Sequence, residues 1–202
     1  MSALNADLAG MALQEFRMGE SEKERGPFDS SDMPNDGTRL DLGSLRIPSA
    51  PELEVRVELD PENHQPQSLS LILPHSIVSV QAFASAKYED TWPSVRDDVV
   101  AELTKHGINT DVRLGVFGTE IHTVMPSQEI DGETIITPVR FLGFDGDRWF
   151  LRVVVSGAGA IDEAAALEVD DLIADIVVHR GHAAMSPGEP LPLTLPENSE
   201  TD

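Results

Sequence analysis

The stretch that decides the fold is V-R-F-L-G-F-D-G-D-R-W-F-L-R-V-V-V-S, residues 139–156. Asp145-Gly146 lies between two apolar runs, and this dipeptide between alternating hydrophobic residues is the strongest short-range β-hairpin signal. The second arm is long and rich in valine and aromatic residues, which strands favour. The stretch therefore predicts two paired antiparallel strands.

The alternation of side chains along this hairpin assigns one face to the core and leaves a second face of mixed chemistry. With a two-residue turn at Asp145-Gly146, the first face carries Leu142, Phe144, Trp149, Leu151 and Val153. The second face carries Val139, Phe141, Gly143, Arg148, Phe150 and Arg152. Gly143 lies opposite Arg148 in this register and leaves room above the sheet. A three-residue bulged turn would swap the faces on one arm.

Further strands are predicted on both sides of the first helix. Residues 53–59 alternate cleanly between apolar and charged side chains, which is typical of a half-buried strand. The other apolar runs predict a strand or extended arm at 40–47 and strands at 69–73, 77–84, 111–116, 119–125 and 135–144.

Two helices are predicted by apolar stripes at helical spacing. The first spans 92–106: Thr91 can cap its N-terminus, Pro93 suits the first turn, and Gly107 ends it. The second spans 162–177 and has acidic residues on its outer face. Because strands cluster before and after the first helix, the sequence predicts an α+β fold rather than alternating βαβ units.

The expected architecture is an antiparallel β-sheet of about six to eight strands packed by two main helices, within a single domain over residues 38–181. Residues 1–37 are expected to form a flexible acidic leader, with a weak amphipathic pattern for a short helix in the first 18. Residues 182–202 are proline-rich and predict an extended tail.

Composition excludes several classes of function. The 202 residues carry a formal net charge of -22 and contain no cysteine. Nucleic acid and anionic membranes are poor partners for such a chain, since binding them needs clustered Lys and Arg. Disulfides, thiolate metal sites and cysteine catalysis are excluded. The chain begins with no signal peptide and has no membrane-spanning run, so a cytoplasmic location is expected.

No catalytic residue, metal ligand set or cofactor motif is predicted. Phosphate-binding loops and nucleophile elbows are absent from the sequence. His179 and His182 form a close pair without a third ligand for a metal. Asp97-Asp98 and Asp170-Asp171 are read as solvated surface rather than as a catalytic pair of carboxylates. An enzyme of unfamiliar type would need a pocket in which an acid, a base or a metal converge.

The second face of the hairpin is the one candidate binding site. Arg148 and Arg152, with Arg140 as a third candidate, lie near Phe141 and Phe150. Arginine presents a planar fork that suits carboxylates and phosphates, and aromatic rings can orient it. The alternative is that these arginines pair with nearby carboxylates and only cover apolar surface with their stems.

Four strings of the chain resemble an actinobacterial family known only as domain of unknown function 3710. They are G-P-F-D at 26–29, R-L-D-L-G-S-L-R-I-P at 39–48, the hairpin over 141–152, and R-G at 180–181 followed by L-P-L-T-L-P at 191–196. The resemblance implies an actinobacterial cytoplasmic protein and transfers no activity. The order of elements also resembles the sandwich of the Mog1 and PsbP-like proteins, an analogy of fold alone.

Two functions follow as hypotheses. The first is a non-catalytic interaction module that contacts a protein partner through the arginine face or the N-terminal arm. The second is a sensor of a small anion, a phosphate or carboxylate metabolite, that uses the same arginines. The sequence leaves the partner, the ligand and the oligomeric state open.

Overall fold

The structure of the protein is a computed structural model that describes residues 25–62, 64–87, 89–130 and 133–195. The short helix predicted within the first 18 residues lies outside the described residues. The described chain forms strands β1 (Phe28–Asp29), β2 (Arg39–Asp41), β3 (Leu45–Pro48), β4 (Glu54–Leu59), β5 (Pro66–Leu73), β6 (Ser76–Ala84), helix α1 (Trp92–Lys105), β7 (Thr110–Gly115), β8 (Gly118–Ile130), β9 (Glu133–Gly146), β10 (Trp149–Gly157), a 3-10 turn (Ala158–Ala160), helix α2 (Glu163–Ala174) and β11 (Val177–Val178).

The strands form two sheets. The larger has seven antiparallel strands in the order β4-β5-β6-β10-β9-β8-β7. The smaller has the order β1-β11-β3-β2, in which β1 runs parallel to β11. The predicted α+β class, the antiparallel sheet and the two main helices are therefore confirmed. Neither helix in the described residues is long and apolar enough to cross a membrane.

The main core lies on one face of the larger sheet. Alternate residues of the central strands project from that face against α2 and the smaller sheet, as strand periodicity requires. The buried side chains from the larger sheet include Leu69, Leu71, Val78, Val80, Leu151 and Val153; those from the opposite layer include Leu45, Ile47, Val169, Ile173 and Ile176.

Helix α1 covers part of the opposite face of the larger sheet. Trp92 packs there with Ile121 and Phe150 in a second, smaller cluster. Gly143 makes this close approach feasible, because a Cβ at that position would lie 2.3 Å from the Trp92 ring. The space that the sequence predicted above Gly143 is thus filled by an indole.

The central hairpin turns two residues later than the sequence predicts. The turn residues are Asp147 and Arg148, and Gly146 pairs with Trp149. Arg148 adopts a φ of 63°. A shift of two residues preserves the parity of each strand, so the predicted core face is correct. The predicted pairing is wrong, because Gly143 lies opposite Arg152 instead of Arg148.

Ordered structure extends beyond both predicted domain boundaries. Phe28–Asp29 pairs with β11, and Gly43 and Phe83 form bridges to Leu193 and Pro190. The second helix ends at Ala174 rather than near residue 177, and the chain that follows it becomes β11. Segments expected to be a linker and a tail therefore complete the smaller sheet and the core.

Candidate ligand-binding site

The structure separates the three candidate arginines that the sequence places on one hairpin. Arg140 lies on the core side of β9, Arg148 in the turn, and Arg152 on the α1 side of β10. Each arginine therefore has a different environment, and the three do not form one site.

Arg140 is part of a buried chain of charges. Its side chain is 4% exposed, and those of its partners Glu120 and Asp170 are 7% and 5% exposed. Arg140 Nη2 lies 2.8 Å from Glu120 Oε2, and Arg140 Nη1 lies 2.8 Å from Asp170 Oδ1. Both carboxylates thus compensate one guanidinium, which is almost inaccessible to solvent.

The same chain continues to the surface through a histidine. His122 Nε2 lies 2.6 Å from Glu120 Oε1, and Arg113 Nη2 lies 2.7 Å from His122 Nδ1. Because arginine can only donate, Nδ1 accepts and Nε2 carries the proton that it donates to Glu120. His122 thus links Arg113 to Glu120.

Asp170 corrects one interpretation from the sequence. The Asp170-Asp171 pair was expected to be solvated, but Asp170 is buried beneath α2 while the side chain of Asp171 is 73% exposed. Burial raises the pKa of Asp170, and the hydrogen bond and charge of Arg140 oppose that rise.

Arg148 lies at the surface of the hairpin turn. Its Nε is 4.0 Å from Asp147 Oδ2, and its side chain is 43% exposed. The backbone carbonyl of Arg148 accepts hydrogen bonds from Ser85 N and Arg180 Nε. The structural contribution of this residue therefore comes from its backbone, and its side chain lines no cavity described below.

Arg152 lies in a cavity of about 320 Å³ that we call the Arg152 pocket. The walls come from the ends of β6 and β10, the loop before α1, the first turns of α1 and the turn at Pro187-Gly188. The lining residues include Phe83, Ser85, Thr91, Val95, Phe150 and Pro187. A pocket of this size is at the lower end of the range that holds small molecules. Of the five candidate residues, Arg152 and Phe150 line it, whereas Phe141 packs under α1.

The guanidinium of Arg152 is held in place without a carboxylate. Its Nη2 donates to Gln81 Oε1 at 2.6 Å, and its Cζ lies 5.4 Å from the centroid of the Phe83 ring. Within the described residues, no carboxylate oxygen is within 4.0 Å of it. Partial withdrawal from water lowers the pKa of Arg152, although part of the side chain stays open to solvent.

Stacked aromatic rings form the wall beside this arginine. Phe150 lies between Phe83 and Trp92, with centroid distances of 6.3 Å and 6.4 Å and interplanar angles of 28° and 20°. Because Trp92 also donates Nε1–H to the carbonyl of Thr119 at 2.6 Å, the stack is fixed to the sheet. The wall is thus preorganised for apolar contact.

Ser85 also lines the pocket, but its hydroxyl is enclosed. Its Oγ has almost no contact with solvent and no hydrogen-bond partner among the described residues. A buried hydroxyl without a partner is costly to the folded state. Residue identity alone gives no signal for this feature, so the sequence pattern does not single out Ser85.

The larger cavities contain arginines that are already paired. A cavity of about 590 Å³ includes Arg25 and Arg96, which pair with Asp171 and Asp97. Another of about 670 Å³ includes Arg113, which lies near Asp111 and His122. Among the described cations in these three cavities, Arg152 is the one without an acidic partner. No group of three or more His, Asp or Glu in the described part of the chain is placed to hold a metal ion.

Comparison with known proteins identifies the family. The model of the family described as "Protein of unknown function (DUF3710)" matches residues 26–202. The chain belongs to this family, as the strings at its two ends and in its hairpin predicted. No curated protein matches the chain.

Two solved structures are distantly similar. One, from Bacteroides thetaiotaomicron VPI-5482, is 12% identical, with a TM-score of 0.37; the match covers 67% of this chain and 45% of the other, so the chain spans less than half of that protein. The other is LpqN of Mycobacterium tuberculosis, involved in cell envelope biogenesis. It is 12% identical, with a TM-score of 0.33 and coverage of 66% and 82%.

Proposed function

We propose that this member of the family is a non-catalytic binding module of the cytoplasm that recognises its ligand in the Arg152 pocket. The observation that carries the proposal is a positively charged guanidinium that lines a largely apolar cavity and has no carboxylate oxygen within 4.0 Å among the described residues. In a chain with 36 acidic and 14 basic residues, partners for an arginine are abundant. An arginine kept apart from them is suited to an anion from outside the chain.

The other arginines of the described chain show how unusual this is. Most lie within 4.0 Å of an Asp or Glu oxygen, as Arg39, Arg46 and Arg140 do. Arg180 lacks such a partner but donates to the carbonyls of Arg148 and Ala183. The pairing expected as the alternative interpretation thus holds for Arg140, while Arg152 departs from it.

The composition of the pocket favours binding over catalysis. Its described lining contains Arg152, Glu89, Thr91 and the hydroxyl of Ser85 as polar side chains, but no histidine or lysine. General acid–base catalysis needs a group whose pKa lies near the operating pH, held within reach of a second polar group. The lining provides groups that can orient a ligand and no such pair.

A thermal-shift screen of small anions and neutral analogues tests the proposal. A ligand that binds only the folded state at a hundred times its Kd adds about 2.7 kcal/mol of stability. For a chain of this size, each 1 kcal/mol raises Tm by about 2–4 °C. We expect a rise for the wild type and for Arg148→Gln, and its loss in Arg152→Gln.

The matched arginine variants make the result specific. Arg148 lies on the same hairpin but outside the pocket, so its substitution controls for loss of one surface charge. If Arg152→Gln keeps the anion-dependent rise in Tm, the anion does not bind through Arg152 and the proposed pocket is wrong. If no compound raises Tm at millimolar concentration, the ligand of the module is a protein instead, and affinity capture should recover it.

A further inference from the structure

The Arg152 pocket carries a single positive charge, and this limits the anion it can hold. Among its described lining residues, Arg152 is the one cation, and Glu89 places a carboxylate at the exposed rim. A phosphate group at neutral pH carries nearly two negative charges and three strong acceptor oxygens. One arginine beside a carboxylate, in a chain of net charge -22, matches a single negative charge better.

The geometry of the guanidinium also favours a planar anion. Arginine carries five N–H donors in a fixed fork that binds a carboxylate through two parallel hydrogen bonds. The bond from Nη2 to Gln81 Oε1 and the ring of Phe83 hold that fork in one orientation. Donors on the remaining nitrogens are therefore available in a fixed plane.

The rest of the cavity is suited to an apolar tail. Phe83, Phe150, Val95 and Pro187 present carbon surface, and the stack of Phe150 on Trp92 keeps this wall rigid. An anion with a hydrophobic substituent matches both the guanidinium and the apolar wall, whereas inorganic phosphate leaves the apolar wall uncovered.

We propose that the pocket binds a monocarboxylate with a short aromatic or aliphatic tail, an inference that rests on the proposed function. The carboxylate accepts hydrogen bonds from Arg152, and the tail packs on Phe83, Phe150 and Val95. The carboxylate can belong to a free acid or to the carboxyl terminus of a peptide with a hydrophobic last residue. The chemistry is the same for both sources, and the experiment distinguishes them.

The test is calorimetric titration of the full chain with matched probes. They are 3-phenylpropionate, its neutral amide, inorganic phosphate, and a short peptide ending in phenylalanine with a free or amidated carboxyl terminus. Because hydrogen bonds to a charged group are strong, we expect the carboxylate to bind at least about tenfold more tightly than the amide. The free peptide binding more tightly than 3-phenylpropionate would identify a protein terminus as the source, and the reverse would identify a free acid.

Variants assign the binding to the proposed groups. Arg152→Gln should weaken carboxylate binding by about tenfold or more, and Arg152→Lys by less. Arg148→Gln should bind like the wild type, and circular dichroism with thermal melting checks that each variant is folded. Equal changes in Arg148→Gln and Arg152→Gln would contradict the assignment.

The two proposals fail in different ways. If phosphate binds in an Arg152-dependent manner and the carboxylates do not, the pocket is a binding site and the monocarboxylate inference is wrong. If the amide binds as tightly as the acid, the inference is also wrong, because charge then plays no part. If none of the probes binds, the proposed small-ligand function itself is contradicted.

Discussion

At the scale of single residues, Arg140 and Arg152 differ in what compensates their charge. Arg140 is enclosed with Glu120 and Asp170, and the three side chains are nearly inaccessible to solvent. Such a group is stabilising only as a set, since each member offsets the desolvation of the others. Arg152 has a neutral amide and a ring in place of carboxylates. The first arrangement supports the fold, and the second leaves a charge available for recognition.

Removal of Arg140 should therefore destabilise the protein strongly. Arg140→Met leaves Glu120 and Asp170 buried without a counter-charge, and we expect a loss of about 3–5 kcal/mol in the free energy of unfolding. Urea denaturation monitored by circular dichroism measures this loss. Arg148→Met, in the exposed turn, is the control and should change stability by less than about 0.5 kcal/mol. An equally small loss for Arg140→Met would show that the buried charges are not coupled.

Asp29 should give stability a pH-dependent component. Burial opposes ionisation of Asp29 and by itself raises its pKa. Two donors stabilise the charged form: the backbone N–H of Ser31, and the indole of Trp149, whose Nε1 lies 2.7 Å from Asp29 Oδ2. Together they lower the pKa of Asp29 below its ordinary value. A carboxyl whose pKa is lower in the folded state adds stability above its unfolded pKa, and loses it as the pH falls through the folded value.

The comparison of wild type with Asp29→Asn isolates this component. Urea unfolding between pH 7 and about pH 2.5 should show the wild type more stable near neutral pH, with the difference shrinking as the pH falls below the ordinary aspartate range near 3.9. A difference that stays constant across the series would mean that the charge of Asp29 adds nothing beyond its hydrogen bonds.

At the scale of elements, the N-terminus of α1 is capped by a side chain from strand β9, that of Asp145. Asp145 Oδ1 accepts from Thr91 N at 2.8 Å, and Asp145 Oδ2 accepts from Trp92 N at 3.1 Å. Thr91, the cap that the sequence predicts, makes no side-chain cap hydrogen bond. The carboxylate of the hairpin thus joins α1 to β9 beside the Arg152 pocket.

Removal of the Asp145 carboxylate should destabilise the protein more than removal of the Thr91 hydroxyl, the cap predicted from the sequence. Asp145→Ala removes an acceptor of two helix N–H groups, and we expect a loss of about 0.5–2 kcal/mol. Thr91→Ala should change stability by less than about 0.5 kcal/mol. Both are measured by thermal unfolding under the same conditions. A larger effect for Thr91→Ala would restore the cap predicted from the sequence.

At the scale of the whole molecule, the segment after β11 belongs to the body of the protein. Leu191 and Leu193 are buried in the main core, and backbone hydrogen bonds join Ala84 to Gly188 and Glu189. Because Pro187 and Gly188 also line the Arg152 pocket, the same segment completes both the core and the candidate site.

A pair of leucines separates core from surface in this segment. Leu191 is 2% exposed and Leu195 is 44% exposed. Leu191→Ala should lower the free energy of unfolding by about 2–5 kcal/mol, since it removes buried methyl groups and leaves a cavity. Leu195→Ala should cost well under that amount, and urea denaturation compares the two. Similar losses for both would show that Leu191 is not held in the core.

Local periodicity was sufficient to predict the seven strands of the larger sheet, both helices and the two faces of the central hairpin. Alternation along a strand depends on the parity of positions, so the faces remain correct although the turn lies two residues later than predicted. The candidate residues Arg152 and Phe150 could be selected for the same reason, because both belong to one face of one strand.

Tertiary structure alone decided the partners of these residues. Glu120 and Asp170 neutralise Arg140 from 20 and 30 positions away, and Gln81 meets Arg152 across 71 positions. The pairing of β1 with β11 and the burial of Leu191 likewise join distant segments. Sequence pattern reports the direction of a side chain from its own backbone. Whether a charge meets a carboxylate or an open pocket depends on how separate elements pack.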